Sequence, residues 1–250
     1  MEKREEIKSE IEQVFAQYIL GQKADLSGFN KRHDGAEGDW LTKKMGLKPN
    51  GKNEPDFKGF EMKKDSAKTT FGDWSPDISL YKGHKPIIKR DDFIKVFGEK
   101  SSRVKGRYSW SGTVFPKINT VNYAGQRMYV NDTNEIIIEY SFSKDTRPNK
   151  LTLIPNEFQI ETLELAKWTV PYMKNKVESK FNQLGWFKCV KNSKGVYTHL
   201  QFGFPLNFTK FIAMVRVGDI FLDCGMYVGN ARPYMTWRAN KNIWNQLAEK

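Results

Sequence analysis

The stretch Pro55–Lys63, which reads PDFKGFEMK, decides the fold because it joins a turn to a strand of alternating character. Glu61 and Lys63 are separated by one residue, so a strand places both side chains on the same face. Phe60 and Met62 then point to the opposite face, as in a strand with one buried side. The pattern therefore predicts two charged groups side by side on one face of a strand.

The turn at Gly59 adds a third charged group, because glycine readily forms a bend that folds Asp56 back beside the strand. Two carboxylates and an ammonium group then converge on one point. Hard oxygen ligands suit Mg²⁺, which keeps its remaining positions for water and phosphate oxygens, and the backbone carbonyl of Met62 offers a third protein ligand. The alternative is a solvated charged hairpin, since such a pattern arises by chance in roughly one chain in ten of this size.

This arrangement suits metal-assisted hydrolysis of a phosphodiester. A bound metal would lower the pKa of a coordinated water and polarise the phosphate. Lys63 would orient or deprotonate that water and offset charge on the phosphorus. A lysine beside two carboxylates normally stays protonated until metal binds, which couples its role to the metal.

The chain is strongly basic: its 250 residues contain 41 Lys and Arg against 29 Asp and Glu, for a formal net charge of +12. A folded domain with this charge attracts polyanions, because each phosphate contact releases condensed counterions. The alternative is a basic protein without a nucleic-acid partner. A hydrophobic content of 39% is enough for one large domain or two tightly packed lobes.

Several classes of protein are disfavoured. Cys189 and Cys224 form no close-spaced pair, which argues against a zinc site and a disulfide scaffold. The segment Gly46–Asn53 nearly matches a phosphate-binding loop, but it ends in Asn where Ser or Thr would bind Mg²⁺, so we expect no nucleotide cofactor. The N-terminus has no apolar signal core, and the longest apolar run, Phe211–Val215, is too short to span a membrane. We expect a cytoplasmic protein without a membrane partner.

Hydrophobic periodicity predicts the main elements. Helices are expected at about 2–20, 38–45, 91–98, 170–184, from 207 and near the C-terminus, and strands at 60–64, 107–115, 126–131, 135–142 and 219–224, with hairpins at 128–141 and 187–202. Because strands and helices do not alternate regularly, we predict an α/β domain with a mixed central sheet flanked by helices.

The segment PDFKGFEMKK resembles the signature of the PD-(D/E)xK nucleases. The longer stretch 35–64 resembles the start of the MutH, MvaI and BcnI restriction endonuclease group: a helix, a polar loop and the metal hairpin. Looser matches are SAKTTFGDWSP at 66–76, FIKVFG at 93–98, YSWSG at 108–112 and LDCGMYVGNAR at 222–232.

The resemblance implies a restriction-endonuclease-like fold over residues 1–250, with a catalytic lobe at about 1–165 and a DNA-recognition lobe at about 166–250 around a DNA cleft. Asp56 and Glu61 would bind the metal, and Lys63 would be the catalytic lysine. The enzyme would act on double-stranded DNA as a monomer, or as a homodimer.

The chain departs from the family at one position. The family has a glutamate in the preceding helix, where this chain has Thr42. Glu37 and Asp39 lie near in sequence, and either would be a substitute; otherwise a second metal is held less well. The number of metal ions is left open.

The resemblance also implies which residues read the DNA. Asp223 and Arg232 fall where base contacts are expected, since arginine reads guanine and aspartate accepts from cytosine. Tyr234 and Arg238 are further candidates in RPYMTWRA. The alternative for this Gly-rich stretch is a tight loop between a strand and the last helix.

A second candidate for DNA contact is the segment KSSRVKGRYSW at 100–110. Arg103, Lys105 and Arg107 stand there beside aromatic residues, which suits contact with phosphates. A basic solvated loop is the alternative.

Together these features predict a type II restriction endonuclease that hydrolyses double-stranded DNA at a short specific site with Mg²⁺. Two alternatives stay open: a MutH-like mismatch-repair nickase, which needs partner proteins, and a DNA-binding protein with an inactive site.

Overall fold

The computed structural model describes residues 2–30, 35–48, 52–82, 88–101 and 104–249. Within these ranges the α-helices are α1 (Glu2–Tyr18), α2 (Ala36–Lys44), α3 (Arg90–Phe97), α4 (Lys150–Leu153), α5 (Val170–Phe181), α6 (Phe208–Val217) and α7 (Lys241–Gln246). The strands are β1 (Phe60–Lys64), β2 (Lys68–Asp73), β3 (Ile78–Ser79), β4 (Glu99–Lys100), β5 (Tyr108–Ser111), β6 (Ala124–Val130), β7 (Ile136–Asp145), β8 (Leu163–Trp168), β9 (Gly185–Lys191), β10 (Tyr197–Gly203), β11 (Ile220–Tyr227) and β12 (Tyr234–Asn240).

The strands form three sheets, so the prediction of a mixed α/β fold is confirmed, whereas a single central sheet is not what forms. The strand orders in the three sheets are β1-β9-β10, β2-β12-β11-β5-β4 and β3-β8-β7-β6. β1 pairs with β9 in parallel, and β10 pairs with β9 antiparallel, so the first sheet is the mixed one. Both predicted hairpins are present, as the antiparallel pairs β6–β7 and β9–β10.

The chain divides into two compact units, each built from separated stretches. Unit 1 comprises Met1–Thr69, Lys176–Asn207 and Asn240–Lys250, and unit 2 comprises Thr70–Asn175 and Phe208–Ala239. The sequence had instead suggested contiguous lobes that meet near residue 165. The physical reason for the difference is strand pairing. Because β1 pairs with β9, the segments that carry these two strands belong to one unit although more than a hundred residues separate them in sequence.

Unit 1 is organised around the sheet β1-β9-β10. One face of this sheet packs on a hydrophobic core that α1 and α2 complete. From α1 and the residues after it, Ile7, Ile11, Phe15 and Ile19 are buried at helical spacing, as the periodicity predicts. Phe60 of β1 is fully buried in this core, which leaves Glu61 and Lys63 on the opposite face.

Unit 2 holds the other two sheets and a core rich in aromatic side chains. Its fully buried residues include Trp110, Trp168 and Trp237. Two of these indoles, Trp168 and Trp237, donate hydrogen bonds to the same carbonyl, that of Trp74, at 2.8 and 3.3 Å. Buried tryptophan normally needs such a partner for its N–H group, so these contacts fix the orientation of the rings. No helix in the described part of the chain is long and apolar enough to cross a membrane.

Candidate active site

A tight hairpin turn precedes β1 and positions the first carboxylate. Phe57 and Phe60 exchange two backbone hydrogen bonds of 2.8 Å each, with only Lys58 and Gly59 between them. These two residues have positive φ angles of 45° and 102°, as a two-residue hairpin of type I′ requires. The chain therefore doubles back, and the Asp56 carboxylate comes to lie alongside β1.

The structure brings Asp56, Glu61 and Lys63 together. Oδ2 of Asp56 accepts a hydrogen bond of 3.0 Å from the backbone N–H of Met62. Nζ of Lys63 lies 2.7 Å from Oε1 of Glu61, which requires both side chains to share one face of β1. The Glu61 and Lys63 side chains are only 3% and 9% exposed, so the pair lies inside unit 1 instead of on a solvated hairpin.

Burial dominates the electrostatics of this pair. Desolvation raises the pKa of the Glu61 carboxyl above its ordinary value; Asp56 adds to this effect, while the neighbouring lysines oppose it. Desolvation lowers the pKa of the Lys63 ammonium group, while Glu61 acts to raise it. Both shifts disfavour the charged forms, as expected where two ionisable groups share a site of low polarity.

The last turn of α5 supplies two further residues, which the sequence reasoning missed. Nζ of Lys180 lies 3.1 Å from the same Glu61 oxygen that binds Lys63. The Phe181 ring lies under Lys63, with 5.1 Å between Nζ and the ring centroid. α5 had been predicted only as a helix. Its lysines give no signal of a site in sequence, because they look like the solvated face of a surface helix.

A buried lysine on the neighbouring strand was also missed. Lys188 of β9 is the register partner of Lys63 and is 1% exposed. Its Nζ donates a hydrogen bond of 3.2 Å to Oδ1 of Asn245. Burial lowers the pKa of the Lys188 ammonium group, which the carboxylate of Asp65 partly opposes. The same face of the sheet therefore carries a second cation beside the catalytic lysine that the sequence predicts.

The residues present fit a divalent cation. Oε2 of Glu61 is buried, and among the described residues it has no hydrogen-bond partner. An unpartnered buried carboxylate oxygen is unfavourable, and a cation would satisfy it. No group of three or more His, Cys, Asp or Glu side chains suited to a metal occurs in the described part of the chain. Two carboxylates completed by backbone and water are a donor set that suits Mg²⁺.

The backbone carbonyl of Met62 is available on the same side as Asp56. β1 is the edge strand of its sheet, with β9 on one side. The Met62 N–H points to the other side, because it donates to Asp56 instead of to β9. The N–H and C=O groups of one strand residue point the same way, so the Met62 carbonyl also faces the open edge.

Two residues of α2, Thr42 and Glu37, make contacts away from the Glu61–Lys63 pair. Thr42 of α2 turns its hydroxyl back to the carbonyl of Gly38, at 2.9 Å. Oε1 of Glu37 accepts a hydrogen bond of 2.7 Å from Tyr197 and pairs with Lys191. Tyr197 belongs to the core on the face of the sheet opposite to Glu61. Glu37 is therefore engaged on the face of the sheet away from Glu61. Asp39, the other acidic residue considered as a substitute, lies on the same helix as Glu37.

In unit 2 the structure brings together four of the residues predicted to contact DNA. Arg107, Asp223, Arg232 and Tyr234 line one open depression of about 500 Å³. Tyr234 begins β12, a strand where the sequence had indicated a Gly-rich segment before the last helix. The paired strands β11 and β12 therefore border the depression, so its lining residues do not all belong to one tight loop.

The remaining predicted DNA contacts lie nearby or outside the described residues. Nε of Arg238 on β12 lies 3.1 Å from Oδ2 of Asp223, so these two side chains form an ion pair. The guanidinium carbon of Arg107 lies 4.8 Å from the centroid of the Tyr227 ring. Lys105 is exposed in the loop before β5. Arg103 lies outside the described residues, as do residues 49–51 of the near-match to a phosphate-binding loop.

Comparisons with known proteins agree on one group. A family model described as LlaMI restriction endonuclease matches residues 19–250. The type II restriction enzyme ScrFI of Lactococcus lactis subsp. cremoris is 39% identical over an alignment of 261 positions that covers 96% of this chain and 96% of the relative.

The restriction endonuclease MvaI has a similar fold in its complex with DNA. Its complex with a cognate DNA substrate matches with a TM-score of 0.59 and 14% identity, over 100% of this chain and 97% of that chain. Its structure without DNA matches with a TM-score of 0.47 and 15% identity, over 98% and 96% of the two chains.

Proposed function

The chain belongs to the LlaMI restriction endonuclease family, and from this premise we propose that it is a type II restriction endonuclease that uses Mg²⁺ to hydrolyse double-stranded DNA at a short specific site. The observation that carries the proposal is the grouping of Asp56, Glu61 and Lys63 on β1 and its turn, with a buried Glu61 oxygen left without a hydrogen-bond partner in the described residues. The relatives support it, since ScrFI is a type II restriction enzyme and MvaI has been solved with a DNA substrate.

In this proposal Asp56, Glu61 and the Met62 carbonyl hold the cation. Bound magnesium would act as a Lewis acid on the scissile phosphate and lower the pKa of the attacking water. Lys63 orients that water toward phosphorus and offsets the negative charge that develops there. Water adds to phosphorus and the bond to the 3′ oxygen breaks, which leaves a 5′-phosphate and a 3′-hydroxyl.

Isosteric substitutions test the residues that hold and use the metal. Asp56→Asn keeps an oxygen for the Met62 N–H, so the turn survives while the charge is lost. We expect Asp56→Asn, Glu61→Gln and Lys63→Met each to lower the rate of plasmid cleavage at least about a hundredfold, because replacing even a hydrogen-bond partner of a metal ligand typically costs about 10- to 100-fold. Binding of duplex DNA should survive in all three. Glu54→Gln, which alters an exposed carboxylate two residues before Asp56, is the matched control.

The same assay separates the proposed function from its alternatives. Wild-type protein with Mg²⁺ should give discrete double-strand fragments without any partner protein, and chelation with EDTA should stop the reaction. Cleavage of one strand only in the presence of a repair protein would indicate a mismatch-repair nickase. DNA binding without cleavage under any divalent cation would indicate an inactive binding protein. Full activity of any of the three variants would refute the assignment of that residue.

A further inference from the structure

Glu61 is held by two ammonium groups, and only one of them belongs to the predicted signature. Lys63 lies 2.7 Å from Oε1, and Lys180 lies 3.1 Å from the same oxygen. The second contact joins β1 to the last turn of α5, from a point more than a hundred residues further along the sequence. Nothing in the mechanism above uses Lys180.

The charges of Asp56, Glu61, Lys63 and Lys180 balance while no divalent cation is bound, and Lys188 nearby has a separate carboxylate partner in Asp65. Asp56 and Glu61 supply two negative groups, and Lys63 and Lys180 supply two positive groups. A divalent cation bound to the two carboxylates would neutralise their negative charge. The two ammonium groups would then lack a counter-charge in the cluster, which a phosphodiester and its developing negative charge can supply.

The two lysines differ in how firmly they are held. Lys63 is enclosed, since it packs on the Phe181 ring and its side chain is 9% exposed. The Lys180 side chain is 19% exposed against 3% for Glu61, so it lies between the buried carboxylate and solvent. Lysine carries its charge on a flexible stem of four carbons. Lys180 is therefore the ammonium group better placed to turn toward DNA that arrives from solvent.

We propose that Lys180 is a second cation of the cleavage centre, which pairs with Glu61 in the free protein and contacts the scissile phosphate once DNA and metal are bound. This inference rests on the proposed function, because it needs a phosphodiester at the site. A purely structural role would be different: Lys180 would then only hold Glu61 in place and would make no contact with DNA.

The salt dependence of DNA binding distinguishes these two roles without any measurement of cleavage. The probe is a fluorescein-labelled duplex carrying the cleavage site mapped on plasmid DNA, with Ca²⁺ in place of Mg²⁺ so that it stays intact. Each phosphate contact adds about 0.9 to the slope of log affinity against log salt concentration. We expect Lys180→Gln to lower the slope by about that amount and Lys180→Arg to retain it. Lys174→Gln, an exposed lysine on the same helix, should leave it unchanged.

The cleavage rate then tests whether the phosphate contacted is the one that reacts. Under single-turnover conditions with Mg²⁺, Lys180→Gln should be about 10- to 100-fold slower than wild type, and Lys180→Arg should recover most of the rate. If Lys180→Gln does not fold, Glu61→Gln/Lys180→Gln replaces it, because this pair leaves no charge unmatched. Its slope is compared with that of Glu61→Gln alone.

Two results would overturn the proposal: an unchanged salt slope in Lys180→Gln, or an equal loss of slope in Lys174→Gln. Failure of the proposed function has a separate signature, namely wild-type protein that cleaves no DNA with any divalent cation. In that case no cleavage site can be mapped, so the salt slope is measured with Ca²⁺ on a labelled duplex of arbitrary sequence, and the two failures remain distinguishable.

Discussion

At the scale of single residues, Glu61 uses its two oxygens differently. Oε1 binds both lysines, whereas Oε2 is buried and has no hydrogen-bond partner among the described residues. Leaving a buried acceptor unsatisfied typically costs about 1–3 kcal/mol. The unsatisfied oxygen therefore lowers the stability of the free protein, and a cation bound to it would recover that stability.

The turn that carries Asp56 depends on one glycine. Gly59 has φ 102°, and a Cβ added there would lie 3.0 Å from Cγ of Leu184. We expect Gly59→Ala to lower the free energy of unfolding by about 1–3 kcal/mol, the usual range for such backbone strain. It should also shift Asp56 relative to β1 and slow DNA cleavage, since a displacement of about 1 Å can cost a hundredfold in rate. Urea unfolding and single-turnover cleavage measure the two effects.

A second glycine provides the control. Gly38 lies in α2, and a Cβ there would meet no heavy atom of the described residues within 4 Å. Gly38→Ala should therefore raise the free energy of unfolding by about 0.5–1 kcal/mol, because alanine loses less conformational freedom in a helix. Cleavage should be unaffected. Equal stability and activity of Gly59→Ala and Gly38→Ala would contradict the role given to the turn.

At the scale of elements, the sequence pattern predicted the strands and hairpins that are determined by residues close together in sequence. β1 and the hairpins β6–β7 and β9–β10 follow from alternation and turn residues close in sequence. The parallel pairing of β1 with β9 does not, because it joins segments more than a hundred residues apart. Lys180 and Lys188 reach the site only through that long-range packing, so the sequence offered the signature residues and left their neighbours undetected.

β12 shows a second limit of pattern reading. Met235, Thr236 and Trp237 are all buried, so this strand lacks the alternation that marks a half-exposed strand. Buried strands read as short apolar runs, which a sequence does not distinguish from other structure. Asp223 and Tyr234, two of the residues predicted to contact DNA, nevertheless lie on the paired strands β11 and β12 and line one depression.

Unit 2 contains a buried ion pair that joins β7 to α3. Oδ2 of Asp145 lies 2.7 Å from Nη2 of Arg147, and Tyr140 donates a hydrogen bond of 3.0 Å to the same oxygen. Nη1 of Arg147 donates to the carbonyl of Val96, near the end of α3, at 2.9 Å. Both charged side chains are almost fully buried, so each depends on the other for charge compensation.

Asp145→Asn should therefore destabilise unit 2 strongly. The asparagine has a similar shape but leaves the Arg147 guanidinium buried without a counter-charge, and breaking such a pair typically costs about 3–5 kcal/mol. Urea unfolding at neutral pH, followed by tryptophan fluorescence, measures this loss. Glu139→Gln, which breaks the more exposed pair with Arg127, is the control, and it should cost at most about 1 kcal/mol.

The same pair gives stability a dependence on acidic pH. Burial pushes the pKa of Asp145 upward, but the hydrogen bonds and charge of Arg147 outweigh it, so the pKa lies below its ordinary value of 3.8. The folded protein thus binds fewer protons than the unfolded chain, and the stabilisation is complete above 3.8 and lost as the pH falls below it. Asp145→Asn should remove this part of the acid dependence. If the free energy of unfolding fell in the same way at acidic pH in the wild type and in Asp145→Asn, this role of Asp145 would be contradicted.

At the scale of the whole molecule, charge and specificity have separate sources. A net charge of +12 favours association with any DNA, because phosphate contacts release counterions irrespective of sequence. Discrimination among sequences requires the few side chains that reach base edges. If Arg107, Asp223, Arg232 and Tyr234 act as a group, specificity lies in one depression of unit 2, while the general affinity is spread over many basic residues.

A matched pair of substitutions tests this separation. Arg232→Ala should weaken binding to the cleavage-site duplex by about 1–3 kcal/mol, as expected for an arginine that reads guanine, and leave binding to unrelated duplex unchanged. Lys105→Ala, in an exposed basic loop, should weaken binding to both duplexes equally and lower the salt slope by about 0.9, as expected for a lysine that contacts a phosphate and no base. Fluorescence anisotropy over a series of salt concentrations measures all four affinities. If Arg232→Ala weakened both duplexes equally, Arg232 would be a phosphate contact, and the source of specificity would have to be sought elsewhere in the chain.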